Sequence, residues 1–174
     1  APAAGARPQV PVELTGRFAI TDVSPAVLGG RRPAAAAVGE DVPITATCFR
    51  EGHDALGVHV VLHAPDGTEH TRVRMASADN GLDGWIAHVR PDAVGDWSFT
   101  IEAWGDPWAT WRHRAAIKIP AGIDVELEIE EGARLLERNA RDLPPADATV
   151  LAAAATAMRT TTLTAAVRLA AATD

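Results

Sequence analysis

With a single cysteine, Cys48, the chain cannot carry an internal disulfide framework, and its cysteine usage fits a reducing compartment. Long apolar runs are missing too. No stretch approaches the ~20 consecutive apolar residues of a membrane-spanning helix, and the first residues lack the charged-then-apolar layout of a secretory signal. The expected location is therefore the cytoplasm. Positive charge is in short supply: 16 Lys and Arg face 23 Asp and Glu, a net charge of −7. That balance argues against a nucleic-acid or anionic-membrane surface, which needs a clustered basic patch. Also absent are a Gly-x-Ser-x-Gly nucleophile elbow, a phosphate-binding Gly-Lys-Ser/Thr loop and a dinucleotide glycine fingerprint. At 174 residues the chain has room for one domain of about 100–120 residues plus an appended element.

What is present is concentrated in Gly84 to Pro120, which holds all five tryptophans. Trp97, Phe99 and Ile101 alternate with Ser98, Thr100 and Glu102, the period of a strand with one buried face. Trp111, His113, Ala115, Ile117 and Ile119 alternate in the same way with Thr110, Arg112, Arg114, Ala116 and Lys118. The two runs are expected to form an antiparallel hairpin across Gly105 to Ala109, with Trp104 opposite Thr110 and Glu102 opposite Arg112. Such cross-strand pairs contribute about 0.2–1 kcal/mol each, so the apolar face calls for a second sheet.

Upstream, Ala1 to Leu14 is rich in Ala, Pro and Gly without a period, and residues 1–14 are expected to form a disordered tail. Strands are expected at Arg17 to Val23, Val42 to Phe49, Val58 to His63, His70 to Met75 and Trp85 to Val89, separated by turns such as Pro65-Asp66-Gly67 and Asp79 to Gly84. Seven or so short strands predict a mainly β fold, an antiparallel β-sandwich over residues 15–121. Ile44, Ala46 and Cys48 share one face, making the cysteine a small, inert core residue.

After Pro120-Ala121-Gly122 the period changes, and residues 122–174 are expected to be helical. Val125, Ile129, Ala133, Leu136 and Ala140 recur at helical spacing, Asp124 can cap, and glutamates crowd the first turns. A strand over Asp124 to Glu130 is the alternative. Leu143-Pro144-Pro145 ends this helix. A second helix is expected over Asp147 to Ala171, with Leu151, Ala155, Met158, Thr162, Ala165 and Leu169 at heptad-like spacing and a weak middle at Thr160 to Thr162. Two such helices would leave an apolar face without a partner.

Few residues suit chemistry. His59 and His63 share a strand face but stand ~13 Å apart, too far for one ion. The Asp79-Asn80-Gly81-Leu82-Asp83-Gly84 run fails as a calcium loop, since Gly81 and Arg90 occupy positions that require oxygen ligands. No metal or cofactor is expected, and no catalytic residue is assigned. Carboxylates sit mostly in turns, where Asp bonds its own backbone; Asp106-Pro107 reads as a turn. Strand parity sends Trp85, Trp97 and Trp111 to the core and leaves Trp104 outward and Trp108 in a loop. Exposed indoles stack on sugars, dock a protein surface or lie under following helices, and the latter two are favoured here. Trp104, Trp108, Asp106, Arg112, His53 and Asp54 are the candidate interface or glycan contacts. The default for His53 and Asp54 is a salt-linked structural loop with Arg50 and Glu51.

Several separated segments carry a family likeness: Phe49 to Asp54 (FREGHD), Ile101 to Trp104 (IEAW), Ala109 to Lys118 (ATWRHRAAIK) running on into IPAGIDVELEIEEGARLLER, Asp22 to Pro25 (DVSP) and Gly30 to Glu40 (GRRPAAAAVGE). In their order along the chain they resemble the N-terminal region of the GlgE-type, maltose-1-phosphate-dependent α-1,4-glucan maltosyltransferases of glycoside hydrolase family 13. The resemblance implies an immunoglobulin-like β-sandwich with an inserted helical bundle, ahead of a catalytic (β/α)₈ barrel. It implies a parent enzyme that transfers a maltosyl unit from α-maltose 1-phosphate to an α-1,4-glucan with retention, using carboxylates of the barrel. A barrel needs about 250 residues, so this chain is expected to be a piece of the parent, ending inside the bundle and inactive alone. The implied role is a dimerisation and scaffolding module, with a second copy and the barrel as partners. An α-glucan-binding module using exposed tryptophans is the alternative.

Overall fold

The computed structural model describes residues 18–78 and 81–173. The expected tail at residues 1–14, the start of the first expected strand at Arg17, and Asp79 and Asn80 of the expected turn lie outside the described residues. The fold is mixed: the described residues form two β-sheets of seven strands together, and four helices. The described residues divide into two compact units, one within residues 18–52 and 58–103, the other of residues 53–57 and 104–173.

In the first unit one sheet is ordered β1 (Phe18–Ser24), β2 (Val42–Arg50), β6 (Gly84–Val89) and β5 (Ala76–Ser77). The other is ordered β4 (Glu69–Arg74), β3 (Leu56–His63) and β7 (Ser98–Gly105). β2 lies antiparallel between β1 and β6, with Ile20 opposite Cys48 and Ala46 opposite Trp85. Ile44, Ala46 and Cys48 from one sheet meet Val58, Val60 and Leu62 from the other in a shared core. Alternation along the strands produces it: every second side chain of β2 is buried while Pro43 and Phe49 stay exposed. Each buried aliphatic side chain contributes roughly 1.5–3 kcal/mol. On β7, Phe99 and Ile101 turn to this core and Ser98, Thr100 and Glu102 to solvent, as the sequence period predicts. Trp85 and Trp97 also pack on it, their indole N–H groups donating to Cys48 O (3.1 Å) and Ala93 O (2.9 Å). Burial pushes the Cys48 thiol up to about 11, so it stays protonated. The Asp66-Gly67 turn forms as expected, with Asp66 Oδ1 accepting from Thr68 N at 2.9 Å and Gly67 at φ 86°.

The second unit departs from the expected hairpin. The segment Trp111 to Ile119 is not a strand paired with β7; it belongs to helix α1 (Pro107–Lys118) and the residue after it. Trp111, Ala115 and Ile119 are spaced by four, and that spacing satisfies strand parity and one helix face alike. The intervening residues separate the two readings. His113 and Ile117, inward on a strand, are exposed, whereas Arg114 and Lys118, outward on a strand, are partly buried. Asp106-Pro107 starts the helix: Asp106 Oδ1 accepts from Ala109 N at 2.8 Å and Pro107 takes the first turn, where its missing N–H costs nothing. Glu102 accordingly meets Arg72 of β4 in place of Arg112.

Helix α2 (Val125–Ala140) follows the helical reading, burying Ile129, Ala133 and Leu136. Asp124 sits at its N-cap with φ 50° but makes no capping bond; its carboxylate meets Lys118 Nζ at 3.0 Å instead. The single helix expected over Asp147 to Ala171 is two, α3 (Pro145–Met158) and α4 (Ala165–Thr173). They part at the threonine run, where Thr160 turns its hydroxyl onto the Thr156 carbonyl four residues back, as Thr156 does onto Ala152 within α3. The helices share a core of Trp111, Ala115, Ile129, Ala133, Leu136, Ala155 and Met158. Among the described residues no helix is long and apolar enough to cross a membrane.

Candidate functional site

Five of the six sequence-marked residues lie in two segments that the structure ties together within the second unit: His53 and Asp54 in the loop between β2 and β3, and Trp104, Asp106 and Trp108 where β7 gives way to α1. Backbone bonds join the segments. Asp106 N donates to Ala55 O at 2.8 Å, and Ala55 N donates to Thr110 Oγ1 at 2.9 Å, while that hydroxyl donates to Asp106 O at 2.8 Å. Trp104 covers Gly57, where an added Cβ would lie 2.3 Å from Trp104 Cζ2; only glycine lets the indole approach so closely. His53 and Asp54 are exposed at the tip of the captured loop. Arg112, the sixth, lies exposed further along α1.

The chemistry of this corner is structural. Asp106 is buried, and its carboxylate caps α1. Trp108 is not in a loop but in the first turn of α1, stacked against Trp111 with ring centroids 4.7 Å apart and planes at 31°. Both Trp104 and Trp108 are half-buried, so neither offers the fully exposed indole that strand parity assigns. Trp111 is buried as expected, but in the helical core, with Nε1 donating to Glu128 O at 2.7 Å.

Sequence reading missed the charged residues that the bundle takes inside. Glu128 is 1% exposed; Arg114 Nε lies 2.9 Å from each of its carboxylate oxygens, and Lys118 Nζ lies 3.0 Å from Oε1. Burial works to raise its pKa, but Lys118 and Arg114 outweigh it and hold the carboxyl below its ordinary value. Arg168, 4% exposed, donates to Met158 O and, through both terminal nitrogens, to Glu126 at 2.7 and 2.9 Å. The only sequence signal was the glutamate run itself. His59 and His63 lie on β3, His63 Nε2 standing 3.4 Å from Thr100 Oγ1. Among the described residues no three His, Cys, Asp or Glu side chains stand together as a metal site would require.

Comparison with known proteins gives a consistent match. Residues 16–174 match the family model described as "Alpha-1,4-glucan:maltose-1-phosphate maltosyltransferase, domain N/S". Alpha-1,4-glucan:maltose-1-phosphate maltosyltransferase 1 of Streptomyces coelicolor is 51% identical over 160 residues, covering 91% of this chain and 24% of that protein. Maltosyltransferase 2 of the same organism is 51% identical over 158 residues, covering 90% and 24%. The Corynebacterium pseudotuberculosis protein of the same name is 40% identical over 149 residues, covering 84% and 22%. The chain thus spans about a quarter of the length of these curated relatives.

Proposed function

Because the chain belongs to the alpha-1,4-glucan:maltose-1-phosphate maltosyltransferase family, over its N/S domain, we propose that it is a non-catalytic N-terminal module that assembles the enzyme rather than performing its chemistry. In this reading the transfer of maltosyl units from maltose 1-phosphate to α-1,4-glucan belongs to a catalytic barrel in the rest of the polypeptide. This module provides a scaffold beside it and an interface with a second copy, in the cytoplasm. Seven strands in sheets of four and three around one core support an immunoglobulin-like sandwich for the first unit.

One observation carries the assembly role. Ile117 (60% exposed), Ile123 (52%) and Leu127 (57%) flank the corner between α1 and α2. Single exposed apolar residues are ordinary, but three within eleven positions, with the Lys118–Asp124 and Lys118–Glu128 pairs near them in the chain, in this reading make one apolar patch with a charged rim. Its occupant in this reading is the same patch of a second copy, a self-complementary contact that closes as a dimer. Light scattering over a concentration series tests it: Leu127→Glu should weaken self-association by about tenfold or more. Association unaffected by Leu127→Glu and by Ile117→Glu would remove the corner from the interface.

A further inference from the structure

α2 is the electrostatic hub of the second unit. Glu126 holds Arg168 of α4, Glu128 holds Arg114 and Lys118 of α1, and Glu130 and Glu137, seven residues apart, both hold Arg159 at the end of α3. Every other helix is thereby tied to α2 by at least one ion pair, and in two cases one partner is almost fully buried.

The apolar contacts fix these helices less sharply. Among the described residues, α3 and α4 meet the shared apolar core largely through alanines, with Leu151, Met158 and Leu169 as the large apolar side chains. Leu151 and Met158 are one heptad apart, so sliding α3 by two turns would put one where the other sits and bury much the same surface. Small, repeated knobs give several packings of similar energy. The charges do not share that tolerance. Arg168 has its guanidinium out of water and all its contacts fixed by geometry, and a shifted helix would strand it, or Glu128, as an unpaired buried charge.

We propose that the α2 carboxylates act as a conformational device: they set the register of α1, α3 and α4 by penalising every alternative packing of an alanine-rich bundle. Specificity of this kind works by making the wrong arrangements costly, and adds little to the stability of the right one. The pairs join residues 10 to 42 positions apart, so they act on tertiary arrangement and not on local helix formation.

The test uses the whole chain and three readouts: helical content by far-ultraviolet circular dichroism, the Trp111 indole N–H resonance, and hydrogen exchange of α3 and α4. Glu126→Gln, which touches Arg168 and not Trp111, should keep the helical signal. It should broaden the Trp111 resonance and raise exchange in α3 and α4 at least tenfold. Adding Glu128→Gln should deepen both losses. Arg134→Gln removes an exposed pair within α2 while Glu130 keeps Arg159, and should leave all three readouts unchanged. A sharp Trp111 resonance and intact protection in the double variant would overturn the proposal. So would outright loss of the helical signal, which would make the pairs a source of stability, or an equal response to Arg134→Gln.

Discussion

Gly132 lies mid-way along α2, a position where glycine costs about 1 kcal/mol relative to alanine and where replacing it ordinarily stabilises a helix. Here the opposite is expected. A Cβ at Gly132 would stand 2.2 Å from Trp111 Cζ2, 2.5 Å from Cε2 and 2.6 Å from Met158 Cε. Carbon atoms in contact sit about 3.5–4.0 Å apart, so the indole would have to retreat by more than an ångström. Overpacking of this kind costs roughly 1–3 kcal/mol. The retreat would also stretch the bond from Trp111 Nε1 to Glu128 O, now 2.7 Å, and a buried N–H left unsatisfied costs about 1–3 kcal/mol more. Set against ~1 kcal/mol of helix propensity, Gly132→Ala should destabilise the second unit by about 1–5 kcal/mol. Urea unfolding followed by tryptophan fluorescence measures it, as a lower midpoint with an unchanged slope. An equal or higher midpoint for Gly132→Ala would refute the close packing of α1 on α2.

Acid should loosen the packing of the second unit. Hydrogen bonds from Arg159 and Arg134 hold Glu130 down at about 2, and Glu126, Glu128 and Glu137 are shifted in the same direction. A carboxyl whose folded pKa is depressed contributes stability that is complete above its ordinary value of 4.5 and fades as pH falls towards 2. An acid titration followed through the Trp111 indole N–H resonance should therefore show the packing loosen in that window, less steeply in Glu130→Gln, while the helical signal is kept; identical curves would contradict the assignment. Calorimetry with millimolar maltoheptaose should register no heat, because Trp104 and Trp108 are half-buried and engaged in folding. Heat that vanishes in Trp104→Ala or Trp108→Ala would favour the glycan-binding reading. Asp106→Ala should cost about 0.5–2 kcal/mol through the lost cap on α1, measurable in the same urea experiment; an unchanged midpoint would mean that the cap carries no weight.

Much of the first unit was legible because half-buried strands write a period of two into the sequence: β2 and β7 present the faces that their alternation predicts. The two-residue β5 was too short to leave a period. α1 misled because residues spaced by four fit both periods, and Asp106-Pro107 reads equally as a turn and as a helix start. The side chains between them, Ile117 exposed and Arg114 drawn to Glu128, settle the matter only in three dimensions. The candidate site was legible as a set of residues but not as an arrangement. Capture of Ala55 by Thr110 and the fit of Trp104 over Gly57 join positions about fifty apart in sequence, which no local pattern encodes. For the same reason the glutamates of α2 read as a helix-dipole bias, while their partners lie up to 42 residues away.

The most direct measurement of the assembly role is the mass of the unaltered chain in solution, by sedimentation equilibrium across a wide concentration range. A species of twice the 18.2 kDa chain mass, growing with concentration, is what the account predicts. A strict monomer at the highest concentration would contradict it.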